Sequence, residues 1–198
     1  MANVKISELT PAATPLDGTE VIEMSQLSGG VYNSVRAPSV EVSFAASRYG
    51  IVFDASSQTF VANTPTAVEF DTPGLLAGIS VVSSTRVTFA DAGVYEITAR
   101  LQFANSDTND HDAKVWFRLN GTDIVNSASI VTIPKAADGG AATLAITGFT
   151  QVTAGQYMEI VVAVENAGVS LAFTAATTSP YVSPATPSAI MTAKRIAL

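Results

Sequence analysis

The sequence has no cysteine, so neither a disulfide framework nor a thiolate metal site is open to it. It has one histidine, His111, and one tryptophan, Trp116. A histidine-rich metal centre or a Ser-His-Asp triad would therefore depend on His111 alone. That residue lies in a polar stretch, and no Gly-x-Ser-x-Gly elbow occurs anywhere in the chain. Charge is scarce, at 14% of residues, and unbalanced, with 10 basic against 17 acidic side chains and a net charge of −7. An acidic chain gains nothing from a phosphate backbone, which argues against nucleic acid as a partner. No apolar run approaches the ~18 residues of a membrane helix, so no membrane partner is expected. Met1 to Leu9 carries Lys5 and Glu8 and no apolar stretch, so no secretory leader is expected either. The expectation is a protein that is not an enzyme and holds no cofactor.

What the chain does have is apolar content, 47%, dominated by alanine and valine and interleaved with threonine and serine. In a chain of 198 residues this permits one all-β domain with a large core, plus an appendage. The organising stretch is Val94 to Phe103, entered through Asp91-Ala92-Gly93. Tyr95, Ile97, Ala99, Leu101 and Phe103 share one face; Glu96, Thr98, Arg100 and Gln102 share the other. That period of two marks a long strand with one buried face. Low charge leaves two readings of the surface: part of it is covered by a partner or by copies of the chain, or it is a solvated Ser/Thr/Ala surface.

Residues 1–57 differ from the rest. Pro11 and Pro15 break any helix, and Asp17-Gly18 signals a turn. Glu20 to Gln26 and Val31 to Val35 flank Leu27-Ser28-Gly29-Gly30 as a small hairpin. Pro38 to Ser47 reads as a short helix, although Val40, Val42 and Phe44 also alternate like a strand. Residues 58–198 carry short strands at Gln58–Ala62, Ala67–Phe70, Ile79–Val82 and Arg86–Phe89, followed by the long strand. Further strands are expected at Lys114–Leu119, Ile124–Ile133, Ala142–Val152, Tyr157–Val164, Val169–Thr174 and Ser188–Ile196. Pro73-Gly74 and Gly78 mark a loop, and Asn120-Gly121 is the strongest hairpin signal. This spacing predicts a β-sandwich or jelly roll.

Two resemblances sharpen this. Lys5-Ile6-Ser7-Glu8-Leu9, Pro11-Ala12-Ala13, Leu16, Gly18, Glu20 and Gln26 resemble the N-terminal segment of many tailed-phage fibre, spike and virion-attached proteins. Thr10 and Leu27-Ser28 depart from that pattern. The resemblance implies that Lys5, Ile6, Leu9, Leu16, Gly18 and Glu20 attach the chain to a virion. Val87-Thr88-Phe89, Gly93-Val94-Tyr95-Glu96-Ile97, Trp116 to Gly121, Gly155-Gln156-Tyr157 and Pro187-Ser188-Ala189-Ile190 resemble the tumour necrosis factor and complement-type jelly roll. That resemblance implies a homotrimer with the long and final strands near its axis, and so Thr98, Arg100 and Gln102 facing neighbouring subunits.

Other polar residues are weaker candidates. The cluster Asn105 to Asp112 has oxygen ligands at alternate positions, as a Ca²⁺ loop would, but lacks the mid-loop glycine and bidentate glutamate. An exposed hairpin tip explains it. Glu96, Glu159 and Glu165 are candidates for a glycosidase pair by default only, and solvent-facing strand positions account for them equally well. Trp116 either reaches the second layer or lies on an outer face. Lys194-Arg195 is too small for a nucleic-acid patch, and Gly139-Gly140 is not a phosphate loop. Surplus apolar residues on both faces of Tyr157–Val164 and of Ala142–Val152 are expected to be closed by subunit contacts.

The sequence thus leads to a phage virion structural protein made in the host bacterial cytoplasm. It is expected to be a homotrimeric capsid decoration (cement) protein bound to the major capsid protein at the virion surface. A short tail fibre or adaptor bound to a tail protein is the alternative. A carbohydrate-binding jelly roll, with Tyr181 and the 105–112 loop, is a third.

Overall fold

The computed structural model describes residues 21–28, 31–38 and 47–197, with side chains from 47 onward. The chain divides into two units, Met1–Ala46 and Ser47–Leu198. In the first, β1 (Val21–Ser28) pairs antiparallel with β2 (Val31–Pro38), in register from Val21 opposite Pro38 to Ser28 opposite Val31. This is the expected hairpin. The attachment residues Lys5, Ile6, Leu9, Leu16, Gly18 and Glu20 lie outside the described residues, as does most of the Pro38–Ser47 segment.

The second unit begins at Ser47 instead of Gln58. The boundary moves because β3 (Tyr49–Asp54) is a full member of the sandwich, paired with the final strand. After it come β4 (Gln58–Thr59), β5 (Thr66–Ala67), β6 (Thr72–Ala77), β7 (Ile79–Val82) and β8 (Arg86–Phe89). The long strand is β9 (Gly93–Asn105), followed by β10 (His111–Leu119), β11 (Thr122–Asp123) and β12 (Ser129–Ile133). The remainder are β13 (Ala141–Val152), β14 (Tyr157–Val164), β15 (Val169–Leu171) and β16 (Ala189–Ala197).

Two antiparallel sheets form the sandwich. The first runs β13-β9-β16-β3-β6, with β15 and β4 continuing along β9 beyond the start of β16. The second is built on β12-β10-β14, then β8 and β7, with β5 beside the far end of β14. This is a jelly roll, as expected. Along β9 burial alternates as the sequence dictates: Tyr95, Ile97, Ala99, Leu101 and Phe103 are buried, and Tyr95 meets Phe89 with ring centroids 4.5 Å apart. From β10 and β14 the core receives Val115, Phe117, Met158, Ile160, Val162 and Val164.

The turns follow from the residues that make them. Asn120 (φ 50°) and Gly121 (φ 79°) both adopt left-handed backbone, so β10 and β11 join in the tight hairpin that Asn-Gly favours. β6 replaces the loop expected at Pro73-Gly74. It is a sheet edge, where a proline is tolerated because the outward side needs no donor, and the pairing with β3 shifts register between Gly50 and Val52.

Candidate functional site

Antiparallel register aligns the outward side chains of the first sheet in rows. One row is Phe149, Glu96, Lys194 and Tyr49; the next is Thr147, Thr98, Thr192 and Ile51; the third is Ala145, Arg100, Ile190 and Phe53. Thr143 and Gln102 follow. Thr98, Arg100 and Gln102 therefore stand in successive rows of one outward face, on β9, the strand next to the β13 edge. Arg100 is exposed; Thr98 and Gln102 are half-buried because each meets a threonine of β13. The Thr98 and Thr147 hydroxyls are 3.0 Å apart, and the Thr143 hydroxyl donates to Gln102 Oε1 at 2.7 Å. Within these rows only Glu96, Lys194 and Arg100 carry charge.

Apolar side chains mark the two lateral borders of the face. Phe149 on β13 is 65% exposed, and Leu75 on β6 is 67% exposed. Next to Leu75 a hollow of about 370 Å³ opens between Tyr49, Ile51, Thr98 and Thr192, with Glu96 and Lys194 also lining it. A second hollow, of about 380 Å³, lies beside β13 under residues 124–129, floored by Ile97, Phe117 and Met158. Among the described residues β13 pairs only with β9, and its other edge, twelve residues without a charge or a proline, carries no strand ladder although residues 124–129 lie beside part of it. Natural edge strands are ordinarily blunted by such residues.

The expected surplus of apolar surface divides in two. On β14 it is closed within the chain: Val161 is fully buried, opposite Trp116 on one side and Ala67 on the other. Subunit contacts are not needed there. Trp116 thus lies on the outer face of the second sheet, while its neighbours Val115 and Phe117 point into the core. On β13 the surplus stays open at Ala145 and Phe149.

The remaining candidates are accounted for locally. Glu159 does not face solvent: it is buried, 3.4 Å from Arg86, whose guanidinium sits over the Tyr157 ring at 4.5 Å. Glu165 Oε2 accepts from the Asp112 N–H at 2.9 Å. Glu96 lies on the other sheet, so these carboxylates do not converge. Asn105 ends β9 and is buried, its amide donating to the Asn109, Ile133 and Pro134 carbonyls. Asp107 accepts from the Thr108 and Asn109 N–H groups, which hold its carboxyl below the usual range. Asp110 Oδ1 accepts from the Lys135 N–H and Asp112 Oδ1 from the Thr132 hydroxyl. His111 opens β10 instead of lying in the loop, with Nε2 3.4 Å from Asp107. Among the described residues no group of three or more metal-ligating side chains forms.

The two poles of the sandwich differ. At one, Arg48 pairs with Asp91, the Arg195 N–H donates to the Arg48 carbonyl at 2.8 Å, and Arg195 Nη1 to the Ala92 carbonyl at 3.3 Å. The chain enters and leaves the sandwich there. Towards the other pole, residues 172–187 form an arm held by paired bonds between Thr174 and Thr186 and between Thr177 and Ser183. At its tip Tyr181 and Val182 are 69% and 83% exposed.

No family model matches the chain, and no curated protein matches it. Among solved structures, murine APRIL crystallised at pH 5.0 matches with a TM-score of 0.50 and 14% identity, over 76% of this chain and 99% of that one. Murine APRIL at pH 8.0 gives 0.49 and 12% over the same shares. At this identity the likeness concerns the fold, and the sandwich is a tumour necrosis factor-like jelly roll.

Proposed function

We propose that the chain is a homotrimeric structural protein of a tailed-phage virion, a decoration protein that docks on the head through its N-terminal segment. One observation carries the trimer: the outward face of the first sheet is poor in charge, apolar at both borders and continuous with a free, uncharged edge strand. Such a surface calls for a cover. The trimer implied by the jelly-roll resemblance places three such faces around one axis. Attachment rests on the N-terminal resemblance, and the shared pole for the entering and leaving chain suits a domain held from one end. A decoration protein adds contacts to the assembled shell and stabilises it by mass action, without chemistry.

The test is add-back to particles lacking the protein. The full chain is expected to bind the head lattice as trimers and to raise the temperature at which particles break, while adsorption to cells is unchanged. Labelling of the tail, or lost adsorption with normal particle stability, would overturn the head position. The second reading, a short tail fibre or adaptor that recognises a receptor, is favoured by the uncharged arm and its exposed Tyr181.

A further inference from the structure

Resting on the trimer reading, we propose that the ring closes by seating Phe149 of each subunit in the hollow between Tyr49, Ile51 and Leu75 of the next. A three-membered ring needs a heterologous contact, in which two different patches of the same chain meet. The first sheet has two such patches, at opposite lateral borders. Phe149 projects from β13 at one border; the hollow lies toward the other, between β3, β16 and β6.

Their shapes are complementary. Phe149 is a single large ring flanked along its strand by Thr147 and Gln151, 65% exposed although it borders the hollow under residues 124–129. The hollow is an open depression, low over Thr98 and Thr192 on β9 and β16 and bounded on the β3 and β6 side by the larger Tyr49 and Leu75. Its volume of about 370 Å³ is larger than a phenyl ring, which leaves room for the neighbouring Thr147 to enter with Phe149. Polarity agrees as well. Glu96 and Lys194 face each other in register at the side of the hollow, leaving the Tyr49–Leu75 wall apolar. Docking in this sense also lays the neighbour's sheet over the free edge of β13. A two-fold contact through β13 would instead bring Phe149 against the hollow at its own edge, floored by Ile97 and Phe117.

The absence of cysteine makes the test clean. In Phe149→Cys/Leu75→Cys the introduced thiols are the only ones, and both positions are exposed. Bridging with a short bismaleimide is expected to give a covalent trimer on a denaturing gel, and each single variant is expected to stay monomeric there. Covalent dimers from Phe149→Cys alone would overturn the proposal in favour of a two-fold contact. Trimer mass by light scattering with no bridge in the double variant would overturn it while leaving the trimer standing. A wild-type monomer would remove both. Independently, Phe149→Ala and Leu75→Ala are each expected to shift the dilution midpoint of dissociation by about tenfold, and the pair by little more, because they share one contact. Fully additive shifts would count against it.

Discussion

Asp54 and Ser188 join the first and last strands of the sandwich: the Ser188 hydroxyl donates to Asp54 Oδ2 at 3.0 Å, and the Ser188 N–H donates to the Asp54 carbonyl at 3.1 Å. Both residues are fully buried. Gln58 Nε2 also donates to Asp54 Oδ2, and the Ser56 N–H and hydroxyl donate to Oδ1. The carboxylate therefore collects β3, β4 and the start of β16 around one point. Asp54→Ala leaves several of these donors without an acceptor. It is expected to cost about 3 kcal/mol in urea unfolding and to lower Tm by about 6–12 °C. Ser188→Ala, which removes one donor, is expected to cost about 1 kcal/mol.

Acid should loosen the pole where the chain enters. The Arg48 guanidinium beside Asp91 holds that carboxyl below its ordinary value of 3.8. A depressed folded-state value means the contribution is fully present above the unfolded value and is lost as pH falls through the folded one. Stability is thus expected to be flat near neutrality and to drop below about pH 4. Asp91→Asn should lower the neutral plateau and shallow the acid limb, read from Tm between pH 2.5 and 7.

Gly93 begins β9 with φ +148°, and a Cβ there would sit 2.5 Å from the Ala197 carbonyl oxygen. Neither the backbone angle nor the opposing main chain can yield cheaply. Gly93→Ala is expected to destabilise by about 2–3 kcal/mol. Faster amide exchange at the end of β16, with β14 unchanged, would place the damage where the clash is.

On the outward face, Gln102→Glu keeps an acceptor for the Thr143 hydroxyl, so the monomer should fold normally. In the proposed trimer it would set three like charges near the axis. Dissociation is expected at higher concentration than for wild type, more so at low salt. Lys114→Ala, exposed on β10 of the other sheet, should leave the trimer mass unchanged. Equal weakening by both would move the interface away from Gln102.

Residues 47–198 alone should fold, since they supply a continuous buried apolar cluster from both sheets. The fragment is expected to show cooperative unfolding and to lose binding to particles. An unfolded fragment would move the boundary again.

Much of the sandwich was legible because one face of most strands is wet. β9 alternates over its whole length, and β7, β8 and β14 begin and end where their residues announce them. β3 was not legible. Ile51 and Phe53 are apolar on the outward side, Val52 is apolar inward, and the strand ends on a buried aspartate, so no period of two remains. β6 was hidden by Pro73-Gly74, a loop signal everywhere except at a sheet edge. The hollow depends on both missed strands, and for that reason Tyr49 and Leu75 escaped notice although Phe149 did not. The closure of Val161 by Trp116 and Ala67 was equally out of reach, because it joins residues far apart in the chain.

The position of β16 has a consequence for synthesis. It is the last strand of the sandwich to be made, yet it lies between β3, the first, and β9. A ribosome that stops before Ser188 releases a chain in which β3 and β9 flank an empty slot, with the Asp54 carboxylate lacking one of its donors. Contacts this distant in sequence form late and slowly. The sheet therefore cannot close until translation has passed Ser188 and supplied β16.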